Sequence, residues 1–273
     1  MKNDNSNSIL RQMPSESKIR SYLKEITIEK HLFCPRRKGR EIKKHNNRYR
    51  CKRCGRFFSI TSSNYFKWTK LSLTTSWLLL WCYTKKVPIN QTTDATDLSE
   101  TTVRKRFDRF RANIPKDFSL KLSNDVQMDE FYRRGKKNGY FIVGAKHKGT
   151  RKVRFHIIKQ PSVNRMRAID FLTQYVNPDS NLFSDGSSIY RTIDKWWPVN
   201  HRYEIRKKLE FELTSEIEGL WENFVTFTRR MCHHVTKNKL EGYVEESAAR
   251  FSHKDWFDSP LEFLKISIRP VSC

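Results

Sequence analysis

The stretch "VQMDEFYRRGKKNGYFIVGAKHKGTRKVRFHIIKQ" (126–160) decides how the chain reads. It holds three runs rich in β-branched and aromatic residues, at 126–133, 140–148 and 153–160. Short turns containing Gly, Lys and Asn separate them, which predicts three successive antiparallel strands. Asp129 stands in the middle of the first run, with Met128 and Phe131 as apolar neighbours. A charge in a central strand is costly unless it is paired or bound to metal. The local alternative is a salt bridge to Arg133.

Downstream, "NRMRAIDFLTQYV" (164–176) has helical spacing, and "SNLFSDGSSIY" (180–190) reads as a strand ending at Asp185. By itself, "SDG" is also an ordinary turn signature. "FELTSEIEGLWENF" (211–224) then begins a long helix through about Arg230, and "NKLEGYVEESAARF" (238–251) begins another. The order βββ-α-β-α-α predicts an α/β fold, a mixed sheet flanked by helices. At 100° per residue, Ile217, Leu220, Trp221 and Phe224 form one apolar stripe. Glu218 borders that stripe, Glu222 lies further out on the same side, and Glu216 falls on the opposite side. Glu212 precedes the helix. A group serving a site on the sheet must border the buried face, which favours Glu218, then Glu222. Glu216 and Glu212 read as solvated residues favoured by the helix N-terminus. Two strand aspartates and a helical glutamate are the oxygen donor set of a two-metal site.

Upstream the chain is strongly basic. It has 54 Lys+Arg against 29 Asp+Glu, a formal net charge of +25. That surplus repels itself unless it meets a polyanion, so nucleic acid is the expected partner. No apolar run approaches the ~20 residues of a membrane span. Residues 1–30 read as a flexible basic tail. Residues 31–66 carry Cys34 and a Cys51-x-x-Cys54 knuckle followed by Gly55, a zinc-ribbon-like module. Arg37 occupies the position of a ribbon's second cysteine, so His31, or His45, is the candidate fourth ligand. Cys82 and Cys232 sit among apolar residues as buried thiols. Residues 67–114 predict three helices, the last capped by Ser99 with Val103, Phe107 and Phe110 inward, hence a helix-turn-helix. Candidate DNA contacts are Arg53 and Arg56 in the ribbon, and Thr101, Thr102, Lys105 and Arg106 in the third helix. The domain containing the strands spans 120–256, and 257–273 reads as a C-terminal tail.

Several motifs together carry a resemblance: "MDEFYRRGKKNGYFIVGAKHKG", "FSDGSSIY", "VNH" (199–201), "SEIEGLW", the "CP…RYRCKRCGRFFSI" ribbon and "HHVTKNKLEGYVEESAARF". In this order, from about residue 30 to 253, they resemble Merlin-type DNA transposases and their bacterial insertion-sequence relatives. The resemblance implies an RNase H-like catalytic core of the DDE type, with Asp129, Asp185 and Glu218 as its acidic triad and Trp221 as the tryptophan of the I-E-x-x-W motif. It implies metal-dependent cleavage of transposon ends and strand transfer to target DNA, with Mg²⁺ or Mn²⁺ at the triad. A homodimer or larger assembly follows. So does a nuclear location in a eukaryotic host, or a cytoplasmic, nucleoid-associated one otherwise. Val225 stands where the family usually has lysine, and Ser215 where some members have asparagine. The rival expectation is therefore a catalytically degenerate, transposase-derived DNA-binding protein.

Overall fold

A computed structural model of the chain describes residues 13–29, 34, 36–37, 39–46, 48–62, 64–67, 70–116, 121–133, 140–158, 163–204, 213–232 and 235–268. The chain forms two compact units, one of residues 1–115 with 255–273 and one of residues 116–254.

In the second unit, β4 (Asp125–Arg133), β5 (Tyr140–His147) and β6 (Val153–Ile158) form an antiparallel meander. After helix α5 (Arg165–Tyr175), β7 (Asn181–Asp185) returns parallel to β4, and β8 (Asn200–Glu204) lies parallel to β7. The five-stranded order is β6-β5-β4-β7-β8. The sheet is mixed, as the sequence predicted. Helices α6 (Ser215–Cys232) and α7 (Lys237–Ser252) follow.

Alternation along β4 explains how the sheet is covered. Val126 and Met128 point into a core with Val143, Ala145, Phe171, Leu172 and Leu182 on the α5 side. Gln127, Asp129 and Phe131 point the other way, toward α6. The Gln127 side-chain oxygen accepts from the Ile217 backbone N–H at 3.0 Å, and Phe131 stacks on Trp221 with centroids 5.6 Å apart. Ile217, Leu220, Trp221 and Phe224 are all buried, so the predicted stripe is the packed face. Gly144 on β5 makes that packing possible: a Cβ there would lie 2.6 Å from Trp221 Cη2 and 2.9 Å from Phe155 Cδ1.

In the first unit, β1 (Ile42–His45), β2 (Arg48–Cys51) and β3 (Phe57–Phe58) form a three-stranded antiparallel sheet. The helices α2 (Leu73–Thr84), α3 (Ile89–Thr96) and α4 (Glu100–Ala112) follow, in the stretch where three helices were expected. Ser99 caps α4, accepting from the Thr102 N–H, and Val103, Phe107 and Phe110 are buried. Cys82 is buried as expected, while the Cys232 side chain lies outside the described residues.

Both expected tails need correction. Within residues 1–30, helix α1 (Glu16–Lys24) continues through a π-turn (Glu25–Glu29), with Ile19 and Leu23 buried and Tyr22 stacked on Trp77. Within 257–273, helix α8 (Pro260–Ser267) buries Phe263 and Leu264; Phe263 meets the ring of Tyr83 at 5.5 Å. Both helices hide short apolar stripes inside polar surroundings, and those stripes need a partner to be stable. Strand β8 is a further addition to the predicted order. Among the described residues, no helix is long and apolar enough to cross a membrane.

Candidate active site

Asp129 and Asp185 meet through register. The parallel pairing of β4 with β7 runs from Asp125 opposite Asn181 to Gln127 opposite Phe183. Two residues further along each strand stand Asp129 and Asp185, level with one another and, by alternation, on the face covered by α6. Asp129 is 5% exposed, and its Oδ2 accepts from Trp221 Nε1 at 3.0 Å. The side chain of Arg133, the partner offered by the sequence, lies outside the described residues. Asp185 Oδ1 accepts from the Ser187 backbone N–H at 3.1 Å, which turns the chain sharply after the strand.

Burial pushes the Asp129 carboxyl up to about 7, and the charges of Glu130 and Asp185 add to the effect. The Glu130 backbone N–H and the Trp221 indole oppose it. A buried carboxyl with other carboxylates beside it disfavours its own ionisation until a cation compensates the charge. The donor set is all oxygen, which fits a hard divalent ion such as Mg²⁺.

Glu218 lies on α6 one turn before Trp221, half-buried at the edge of the packed stripe, as its helical phase predicted. Its Oε1 accepts from Thr214 Oγ1 at 3.4 Å. The three carboxylates do not close to within 4.8 Å of one another; among the described residues only Cys34, Cys51 and Cys54 converge that tightly. Glu222 is exposed. Glu216 is not the solvated residue expected: it pairs with buried Lys146 and accepts from the Gly149 N–H at 3.2 Å. Glu212 lies outside the described residues.

Two features near the aspartates were given no role from the sequence, although His201 stands in the quoted "VNH". Glu130, on the opposite face of β4, accepts a hydrogen bond from the phenol of buried Tyr190. Strand β8 places His201 Nε2 at 2.9 Å from Ser184 Oγ. The adjacent acids in "MDEF" were the available signal for Glu130.

The cysteine cluster is built from two knuckles. The Cys34 N–H donates to the Gly39 carbonyl at 2.9 Å, and the Gly55 N–H to the Cys51 carbonyl at 2.9 Å. Gly55 has φ +68°, a left-handed conformation that glycine adopts without strain. Cys34 Sγ and Cys54 Sγ are 3.5 Å apart. The Cys54 backbone N–H pulls the Cys51 thiol below its ordinary range. Three convergent sulfurs, one already favouring the thiolate, fit zinc. His31 lies outside the described residues, and His45 instead packs edge-on to Phe57, outside the convergent set.

Of the candidate DNA contacts, Arg56, Thr101 and Lys105 are exposed. Arg53 is exposed but ion-paired with Glu41 at 2.9 Å. Thr102 and Arg106 are half-buried, and burial followed by the Arg109 charge lowers the Arg106 guanidinium pKa.

Residues 121–252 match the ISXO2-like transposase domain. No curated protein matches the chain closely enough to count as a relative. Among solved structures, a chain of the simian T-cell lymphotropic virus intasome in complex with PP2A regulatory subunit B56 gamma aligns at 11% identity. That alignment covers 64% of this chain and 68% of that one, with a TM-score of 0.38. The HTLV-2 integrase catalytic core domain in complex with magnesium, in its dimeric form, aligns at 12% identity over 48% and 87%, TM-score 0.30. Its trimeric form gives 12% identity over 48% and 86%, TM-score 0.32. Over residues 121–252, the chain is thus similar to the ISXO2-like transposase domain.

Proposed function

We propose that the protein is a DNA transposase that binds transposon ends and catalyses their metal-dependent cleavage and strand transfer. The observation that carries the reading is the level pair Asp129 and Asp185, on the sheet face covered by the helix bearing Glu218, inside an ISXO2-like transposase domain. These three residues would hold two Mg²⁺ or Mn²⁺. Bound there, the ions supply activation of an attacking oxygen and charge stabilisation at the leaving one. The chain's own part is to hold the carboxylates level and to keep Asp129 oriented through Trp221. Water is the first nucleophile and the freed 3′-hydroxyl the second. Two ends must be processed together, so a dimer or larger assembly is part of the proposal. The ribbon and helix-turn-helix would grip the end sequence, with zinc on the three cysteines. We place the protein with its DNA: in the nucleus of a eukaryotic host, or at the nucleoid otherwise.

The rival is a DNA-binding protein that has lost catalysis. Val225 favours it, an apolar, half-buried side chain where the resembled family carries lysine. Incubation with labelled terminal-repeat DNA and Mn²⁺ separates the two readings. The transposase nicks the DNA, and Asp185→Ala does not. DNA binding without nicking by the wild type supports the rival, while equal nicking by the variant sinks the site assignment.

A further inference from the structure

We infer that Glu130 and Tyr190 are a positioning pair that sets the spacing of Asp129 and Asp185 for a divalent cation. This rests on the reading of that site given above. The parallel pairing between β4 and β7 ends at Gln127 and Phe183, two residues short of the aspartates. Beyond that point the ladder no longer fixes how far the two strands diverge. On the α6 face, the Trp221 indole holds Asp129. A chain of side-chain and backbone hydrogen bonds spans the gap, running from Asp185 to the opposite face of β4. The Asp185 carboxylate accepts from the Ser187 N–H at 3.1 Å, and the Ser187 carbonyl accepts from the Tyr190 N–H at 3.1 Å. The Tyr190 phenol then donates to the Glu130 carboxylate, on the residue next to Asp129.

The anchor is rigid. Tyr190 has no exposed surface and packs in the core beside Ile193 and Leu182. Its ring is held from all sides while its hydroxyl reaches the half-buried Glu130. The loop 185–190 is thereby pinned to β4 just where backbone pairing stops. Neither residue needs to touch the cation; both act through the carboxylates they place, as partners behind metal ligands commonly do.

The test is Mn²⁺ binding to the full-length protein without DNA, followed by calorimetry or by the spin-resonance signal of free Mn²⁺. Asp185→Ala serves as the control that isolates this site from the cysteines. Tyr190→Phe keeps the ring and removes only the donor; it should weaken the Asp185-dependent binding about tenfold. Glu130→Ala should do the same, whereas Glu130→Gln keeps an acceptor oxygen for the phenol and should stay within about threefold of wild type. Folded Tyr190→Phe that binds Mn²⁺ like wild type overturns the inference. So does Glu130→Gln as weak as Glu130→Ala, because charge rather than position would then be what matters. Should Tyr190→Phe not fold, the two Glu130 variants decide alone. Wild type without any Asp185-dependent Mn²⁺ binding is a different failure: it removes the metal site itself, and the pair's role with it.

Discussion

Asp129 is a burden to the fold that its site requires. Its carboxyl keeps its proton up to about pH 7, against an ordinary 3.8, chiefly through burial. Below about pH 4 both folded and unfolded chains carry that proton, and the group costs nothing. Between about pH 4 and 7 the unfolded chain ionises while the folded one does not, so stability falls as pH rises. Above pH 7 the full penalty is present, on the order of 4 kcal/mol. Asp129→Asn removes it and still offers an oxygen to the Trp221 indole. In magnesium-free buffer at pH 8 the variant should melt higher than wild type, and the two should converge near pH 4. A variant that melts lower at pH 8 would contradict the burial argument. Excess Mg²⁺ should narrow the gap by raising wild type alone. Gly144 is the neighbouring weak point. Gly144→Ala drives a methyl into Trp221 and Phe155 and should cost about 1–3 kcal/mol in urea unfolding. Its marker is an altered Trp emission, because the indole that holds Asp129 has to move.

At the scale of elements, α6 is the part that must arrive in the right place. Its first turn is fastened twice: the Ile217 N–H to Gln127 on β4, and Glu216 to Lys146 and Gly149 at the β5–β6 turn. Lys146 is buried, so Glu216→Ala leaves its charge with the His147 carbonyl at 3.3 Å and no carboxylate from α6. That should cost about 2–3 kcal/mol, while Lys146→Met in the same background should recover most of it. Additive losses in the double variant would show that the pair is not what fastens the helix. Much of this layer was legible in the sequence. Runs of β-branched and aromatic residues broken by short turns marked β4 to β6, and the 100° rule separated Glu218 from its neighbours along the stripe Ile217–Leu220–Trp221–Phe224. Other parts were not legible, for physical reasons. Glu216 looked solvated because its partner Lys146 lies 70 residues away. Strand β8, "NHRYE", is a short edge strand of polar, mostly exposed residues that give no periodic signal. The Glu130–Tyr190 bond links positions 60 apart and exists only once β7 lies beside β4. The helices α1 and α8 were hidden by their polar flanks.

Across the whole molecule, charge is divided unevenly between the two units. Residues 1–115 with 255–273 carry 28 Lys+Arg against 12 Asp+Glu, a net +16, while residues 116–254 carry 26 against 17, a net +9. The greater surplus lies with the unit that holds the cysteine cluster and the helices α2 to α4. If that unit grips DNA, affinity should depend steeply on salt, since each phosphate neutralised releases counterions. With about 6–10 phosphate contacts, binding should weaken by roughly 10³-fold or more between 50 and 200 mM salt. Lys105 is exposed on α4, so Lys105→Ala should flatten the log–log slope by about one contact. Asp129→Asn should leave the slope unchanged, because in the proposed function that residue serves the chemistry and not the grip. The cysteine cluster adds a second control. Purified protein should carry one zinc per chain by atomic absorption. Cys51→Ser should lower that content and weaken DNA binding, since the arginines around the knuckle depend on its geometry. Folded wild type without zinc would exclude the metal. A slope unaffected by Lys105→Ala, yet flattened by removing arginines in residues 116–254, would move the main DNA grip to the other unit.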